Sequence, residues 1–314
     1  MLSNKDIRLL RELDVNSRRS LSSVAENLRM SKENVNYAIK KLEKSKIISG
    51  YFSMVNYFKL GFKIFKLLVS FKDLGEKGEA KIIEWLGRRE EVVWMGKVTG
   101  KWDIIISIRE KDIEKIYSFL EDFNKTFSIH VKERQLLSSY EIEWLNEKYL
   151  YEDKSKSYQA KFNQKDDKIK LDEKDEKIVG FLEHNARIPL IEISSKVKLT
   201  AEAVSKRIQN LVKNKIITGY KLRINHDLIG KGYHHIFIAL NDFSKIGEIT
   251  AHYEKSRQCV FIMKYHGGYD LHLEIISESE SNFREVILEL REKFGNIISD
   301  YQQLTVLNES NLIK

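Results

Sequence analysis

Residues 46–51 read KIISGY, and residues 215–220 read KIITGY, the same phrase 169 positions later with Thr218 in place of Ser49. The same shift superimposes Leu2 on Leu171, Lys5 and Asp6 on Lys174 and Asp175, and Asn16 and Arg18 on Asn185 and Arg187. It also lays Val35, Ile39 and Leu42 on Val204, Ile208 and Leu211. Roughly a third of positions 2–51 are identical without a gap, and the matching apolar residues carry helical spacing. Further on, FKLLVSF meets HHIFIAL, and TGKWD at 99–103 meets HGGYD at 266–270 with the offset shortened to 167. The chain is an internal duplication of a unit of about 150 residues.

Each copy begins with three helical pieces. In the first, NKDIRLLRELDVN carries Ile7, Leu10 and Leu13 on one face with Asn4 placed to cap it, and SLSSVAENL follows with Leu21, Val24, Ala25 and Leu28 as its buried stripe. After a tight turn, SKENVNYAIKKLEKSK starts at the cap residue Ser31 and turns Val35, Ile39 and Leu42 inward. A short helix, a turn and a longer helix with a basic outward face is the helix-turn-helix pattern, whose second helix enters the DNA major groove. The inward stripe leaves Lys32, Asn34, Asn36, Tyr37, Lys40 and Lys41 to face DNA in the first copy. In the second, Ser205, Lys206, Arg207 and Gln209 are the corresponding candidates. Asn and Gln pair with adenine, Arg pairs with guanine or phosphate, and Lys neutralises phosphates. Because the two faces differ, they should read different half-sites. The segment IISGYFSMVNYFKLG, with a bend expected at Gly50, is read as a wing, and IITGYKLRINHDLIG as its twin.

From residue 62 the period changes. IFKLLVSF, EVVWMGKVTG, DIIISIRE and HVKERQLLSSYEIEW alternate as strands, with EAKIIEWLG and DIEKIYSFLEDF as helices between them. The order β-α-β-β-α-β builds a ferredoxin-like sheet covered by helices on one face, and the second half repeats it. The bare face of each sheet should be buried against the other half. The expected fold is α+β, with a winged helix-turn-helix at 1–61, a ferredoxin-like module at 62–150 and a polar, Lys-rich, flexible linker at 151–170. A second winged helix-turn-helix follows at 171–230 and a second module at 231–314.

A winged helix-turn-helix followed by βαββαβ, with LEKSKIISGY and LVKNKIITGY after the recognition helix and VTGKWDIIISI and YHGGYDLHLEI at the central hairpin, resembles the Lrp/AsnC (feast/famine) transcription regulators over essentially the whole chain. The resemblance implies two RAM-type sensing modules, dimerisation through the sheets, and an amino acid or related small molecule bound near the hairpin. It thereby implies that Gly100, Trp102 and Asp103, and Gly267, Tyr269 and Asp270, lie near effector sites. The family has glycine in the helix-turn-helix turn and before the wing strand, where positive φ is favoured. Here those places hold Arg29 and Lys198, Lys46 and Lys215. The arginine common on the recognition helix is present as Arg207 and replaced by Ala38. One chain with both copies implies an intrachain pseudo-dimer whose recognition helices meet major grooves roughly 34 Å apart.

Charge agrees with a polyanion partner. Residues 1–50 hold 11 basic and 6 acidic residues, a net +5, whereas residues 221–314 hold 11 and 13, a net −2. Basic surface confined to some domains is the footprint of double-stranded DNA binding. The single cysteine, Cys259, excludes an intramolecular disulfide and reads as a core residue. No apolar run reaches the roughly 20 residues of a membrane span, so a soluble cytoplasmic protein is expected. Seven of the eight histidines fall in the second half, yet adjacent His234 and His235 point to opposite faces of a strand, so no metal site is expected. Asp103 and Asp270 lack a partner acid, base or nucleophile nearby, and no catalytic residue or cofactor is assigned. Two alternatives remain: a sensor that does not bind DNA, and an enzyme resembling siroheme decarboxylases, whose hairpin signature N-L-W is met here by DIII and DLHL.

Overall fold

The computed structural model describes residues 2–151 and 159–311. The first head consists of α1 (Asn4–Val15), α2 (Leu21–Leu28) and α3 (Lys32–Lys44), followed by β1 (Ile48–Val55). The first module runs β2 (Lys63–Phe71), α4 (Glu76–Gly87), β3 (Val92–Thr99), β4 (Ile104–Glu110), α5 (Ile113–Phe127) and β5 (Val131–Leu145), and β6 (Gln159–Asn163) follows. The second head is α6 (Glu173–His184), α7 (Leu190–Val197) and α8 (Ala201–Lys213), continued by β7 (Ile217–Ile224). The second module is β8 (Gly232–Leu240), α9 (Ile246–Tyr253), β9 (Cys259–His266), β10 (Leu271–Ser277), α10 (Glu280–Phe294) and β11 (Ile298–Asn311).

Local chemistry explains the helix starts. Ser31 and Thr200 cap the two recognition helices by accepting from the amides of Asn34 and Ala203. The first helix is capped by Ser3 rather than Asn4, because Ser3 and Asp6 close a reciprocal capping box that leaves Asn4 inside the helix. Arg29, Lys46, Lys198 and Lys215 all adopt φ between 53° and 59°, the left-handed conformation that favours glycine.

Each module is a four-stranded sheet, β5-β2-β4-β3 and β11-β8-β10-β9. The long strands β5 and β11 do double duty: the first part of each completes its own sheet, and the second part pairs with the other module, β5 with β9 and β11 with β3. The two sheets thereby close into an eight-stranded antiparallel barrel. Its lumen is filled by side chains such as Leu68, Trp102, Ile105, Phe237 and Tyr265, the bare faces of both sheets. Outside, α4 and α5 cover one half and α9 and α10 the other, where Cys259 is buried.

Two expectations change. The wing segment is a single strand with no hairpin turn at Gly50, and β1 pairs antiparallel with β7 across the repeat, Tyr51 opposite Leu222. A strand with an equivalent twin satisfies its amides by pairing across the pseudo-two-fold instead of folding back on itself. The polar linker contains β6, which pairs with β5 and buries Ala160 and Phe162 in the barrel-end core; alternating apolar residues decide this locally against the surrounding charge. Residues 152–158 of that linker lie outside the described residues.

Candidate nucleic-acid interface and sensing modules

The recognition helices α3 and α8 bury Val35, Ile39 and Leu42, and Val204, Ile208 and Leu211, as their spacing requires. That leaves Lys32, Asn34, Tyr37, Lys40 and Lys41 exposed and Asn36 half-buried on the first, with Tyr37 72% exposed. On the second, Lys206 and Gln209 are exposed, while Ser205 and Arg207 are half-buried. Arg207 is not free: its Nη1 donates to Asp172 at 2.7 Å and Asp175 at 2.8 Å, tying α8 to the start of α6. Hydrogen bonds to Asp175 and Asp172 raise its pKa further above an already high value. Lys41 makes the weaker counterpart, 3.5 Å from Asp6, so the first head braces itself from a position one turn along.

A pseudo-two-fold relates the heads. Arg187 donates to the Ser17 carbonyl at 2.6 Å, and its twin Arg18 donates to the carbonyls of Ala186 and, at 3.2 Å, Ile188. The Ser17 amide reaches Tyr220 and the Ala186 amide reaches Tyr51, again as twins. Such self-complementary exchange is the mark of an isologous interface, here within one chain.

Buried polar junctions join the heads to the barrel, and they are unlike. On the second side Arg109 grips Glu183 with two bonds, 2.5 and 3.2 Å, and stacks 3.5 Å over the ring of Tyr57. On the first side Asp14 accepts from the Asn146 side chain, the Glu147 amide and Tyr151, with Lys221 3.6 Å from both Asp14 and Glu147. Burial pushes the Glu147 carboxyl up, but Lys221 and His226 outweigh it and hold it at about 2.

The hairpin residues are packed into the barrel. Gly100 and Gly267 have φ of 134° and 127°, and a Cβ on them would lie 2.7 Å from the Gln303 carbonyl and 2.6 Å from that of Leu136, so each hairpin rests against the other module's long strand. Trp102 and Tyr269 are buried in the lumen. Asp103 accepts from the Phe71 amide at 2.7 Å and Asp270 from that of Leu240 at 2.8 Å, capping the adjoining strands.

His234 and His235 do face opposite ways. His234 stacks on Phe283 of α10, while His235 points into the lumen and bonds His272 at 2.9 Å. Sequence reading missed that His272 and Glu274 of β10 share the face of His235; this requires the register that sets Glu274 opposite His235. Among the described residues, ligand atoms of these three lie within 4.8 Å of one another. The ammonium of Lys66 bears on both histidines and helps hold them neutral, so the group sits beside a cation already in place.

The winged helix-turn-helix DNA-binding family model matches residues 2–49, and the AsnC-type helix-turn-helix domain matches residues 171–212. An uncharacterized HTH-type transcriptional regulator of Pyrococcus furiosus is 30% identical over 140 residues, 44% of this chain and 93% of that relative. The HTH-type transcriptional regulator Ptr1 of Methanocaldococcus jannaschii is 29% identical over 122 residues, 39% of this chain and 81% of its own length. Over the whole chain, the crystal structure of the siroheme decarboxylase NirDL has the same fold, with a TM-score of 0.63 across 97% of this chain and 91% of that one at 10% identity. No helix among the described residues is long and apolar enough to cross a membrane. Two helix-turn-helix heads, the sheet modules behind them and relatives matching one repeat apiece lead to one family: the chain belongs to the Lrp/AsnC helix-turn-helix transcription regulators, in a tandem two-copy form.

Proposed function

We propose that this DNA-binding transcription regulator acts as a one-chain dimer equivalent, both heads engaging a single duplex and a small molecule bound at the sheet modules modulating the result. The observation that carries the reading is the pair of recognition helices presenting unlike polar faces from heads locked by reciprocal arginines. On α3, Asn34 and Asn36 read bases while Lys32, Lys40 and Lys41 meet phosphates and Tyr37 packs on the groove wall. On α8, Ser205, Lys206 and Gln209 contact DNA directly, and Arg207 reaches a base only by exchanging its two carboxylate partners for it. The effector is an amino acid or a related small molecule. A non-enzymatic role is part of this reading; Asp103 and Asp270 accept from the Phe71 and Leu240 amides.

A salt titration of duplex binding tests the DNA reading. Replacing Lys40 and Lys41 by alanine should make the slope of log K against log salt shallower by about 1.8, roughly 0.9 for each phosphate that is no longer neutralised. An unchanged slope would remove α3 from the interface.

A further inference from the structure

Between the β1/β7 ribbon and the adjoining end of the barrel lies a cavity of about 250 Å³, at the small end of ligand pockets, which start at roughly 300 Å³. Its walls are largely aromatic and apolar, with Phe52, Trp94, Trp144 and Phe261 among them. Most charged groups on the wall are already paired. Arg109 holds Glu183, Lys221 lies against Glu147, Trp94 donates to Glu309 at 2.9 Å and Tyr233 donates to Glu274.

Two cations are exceptions. Lys66, on β2, is 5% exposed, and its Nζ sits 4.3 Å over the ring of Trp94. Arg223, on β7, stacks 4.8 Å from the ring of Phe52. Among the described residues neither charged head group makes a hydrogen bond or an ion pair; each rests on an aromatic ring. Burial draws the Lys66 ammonium down to about 8 against the pull of Glu274 and Glu309, so it still carries its charge at neutral pH, and burial lowers Arg223 against Glu309 and Glu183; burial also lifts Glu274 to about 7, which weakens one of these counter-charges. A buried cation whose carboxylate neighbours are not in contact with it is costly. The arrangement is completed by an anion that arrives with the ligand.

We infer that this cavity binds a small organic monocarboxylate with a flat apolar body, its carboxylate held by Lys66 and Arg223 and its body lying against Trp94 and Trp144. This deepens the effector reading above and rests on it for its regulatory meaning. Lys66 belongs to the barrel, whereas Arg223 belongs to the ribbon, whose strands leave the two recognition helices. One carboxylate bridging them fixes the ribbon on the barrel and with it the setting of both heads. The two-point clamp also explains why the charges are split between elements: a site built wholly on the barrel could bind without being felt by the heads.

The test uses the full-length protein without DNA, titrated with benzoate, phenylacetate and indole-3-acetate, each beside its neutral amide, and followed by calorimetry and tryptophan fluorescence. At least one acid should bind ten-fold or more tightly than its amide. Lys66→Met should abolish that preference, and Arg223→Met should weaken the acid about ten-fold, with circular dichroism confirming that both variants fold. Equal binding of acids and amides, no binding of any acid, or a preference that survives Lys66→Met would overturn the proposal. Repeating the DNA titration with the bound acid is the separate regulatory arm: a shift of several-fold supports the coupling, and an unchanged affinity overturns it while leaving the site. Loss of DNA binding in every condition would instead strike the regulator reading and leave acid binding standing.

Discussion

Lowering the pH from 7 to 5.5 should remove about 2 kcal/mol of folding stability, an acid sensitivity set by three buried histidines. His234 is fully buried between Ser277 and Thr305, with ring nitrogens 2.9 and 3.0 Å from their hydroxyls, and burial holds it at about 4. Burial also drives His235 and His272 well below 6.5, with Lys66 opposing protonation of both. A histidine depressed in the folded state contributes stability that is present above its unfolded pKa of about 6.5 and lost as pH falls, because only the unfolded chain takes up the proton. Glu274 works the other way. Raised to about 7, it binds a proton in the folded state first and regains stability between pH 7 and 4.5. Three protons against one leaves a net slope of up to about 2.7 kcal/mol per pH unit near pH 5.5. Urea unfolding across this range measures it, and His234→Gln, which keeps a hydrogen-bonding side chain without the titration, should reduce the loss by about 1 kcal/mol. A flat profile between pH 7 and 5.5 would mean that these rings are hydrated.

The second large effect is expected at the junction between barrel and second head. Arg109→Met should cost about 3–5 kcal/mol, since it strands the Glu183 carboxylate in a buried site where Tyr57 is the other side chain bonded to it. Adding Glu183→Leu removes the stranded charge and should restore most of the loss, because a buried ion pair exchanged for packed apolar groups is often close to neutral. The double-mutant cycle in denaturant separates the pairing from simple loss of packing. If the double variant is no more stable than the single one, the arginine matters through its stacking on Tyr57.

Much of this architecture could be read from the chain. The 169-residue repeat announced two equivalent heads, and its matched Arg18 and Arg187 make the reciprocal contacts between them, while Asn16 and Asn185 each accept from the amide two residues on. Alternation placed His234 and His235 on opposite faces, and the βαββαβ order implied two sheets needing to bury a bare side. What could not be read depends on register and on crossing elements. Nothing local in HVKERQLLSSYEIEW says that its second half pairs with the other module, and so barrel closure was invisible. Lys66, His235, His272 and Glu274 converge from three strands 208 positions apart in sequence at the extremes, which no spacing rule detects. Arg207 faces outward by periodicity, but Asp172 and Asp175 meet it only because of how α6 crosses α8. In each case the missing information was a long-range pairing that single-sequence periodicity does not carry.

In the proposed function one chain supplies two different DNA-reading heads in a fixed two-fold frame. Selection of duplexes from a random pool, followed by the stoichiometry of the best binder, tests it most directly. The expected winner is an asymmetric site with two unlike elements centred about 10 base pairs apart, bound by a single chain. A perfect palindrome outcompeting every asymmetric sequence, or no enrichment above the background of a basic protein, would contradict it.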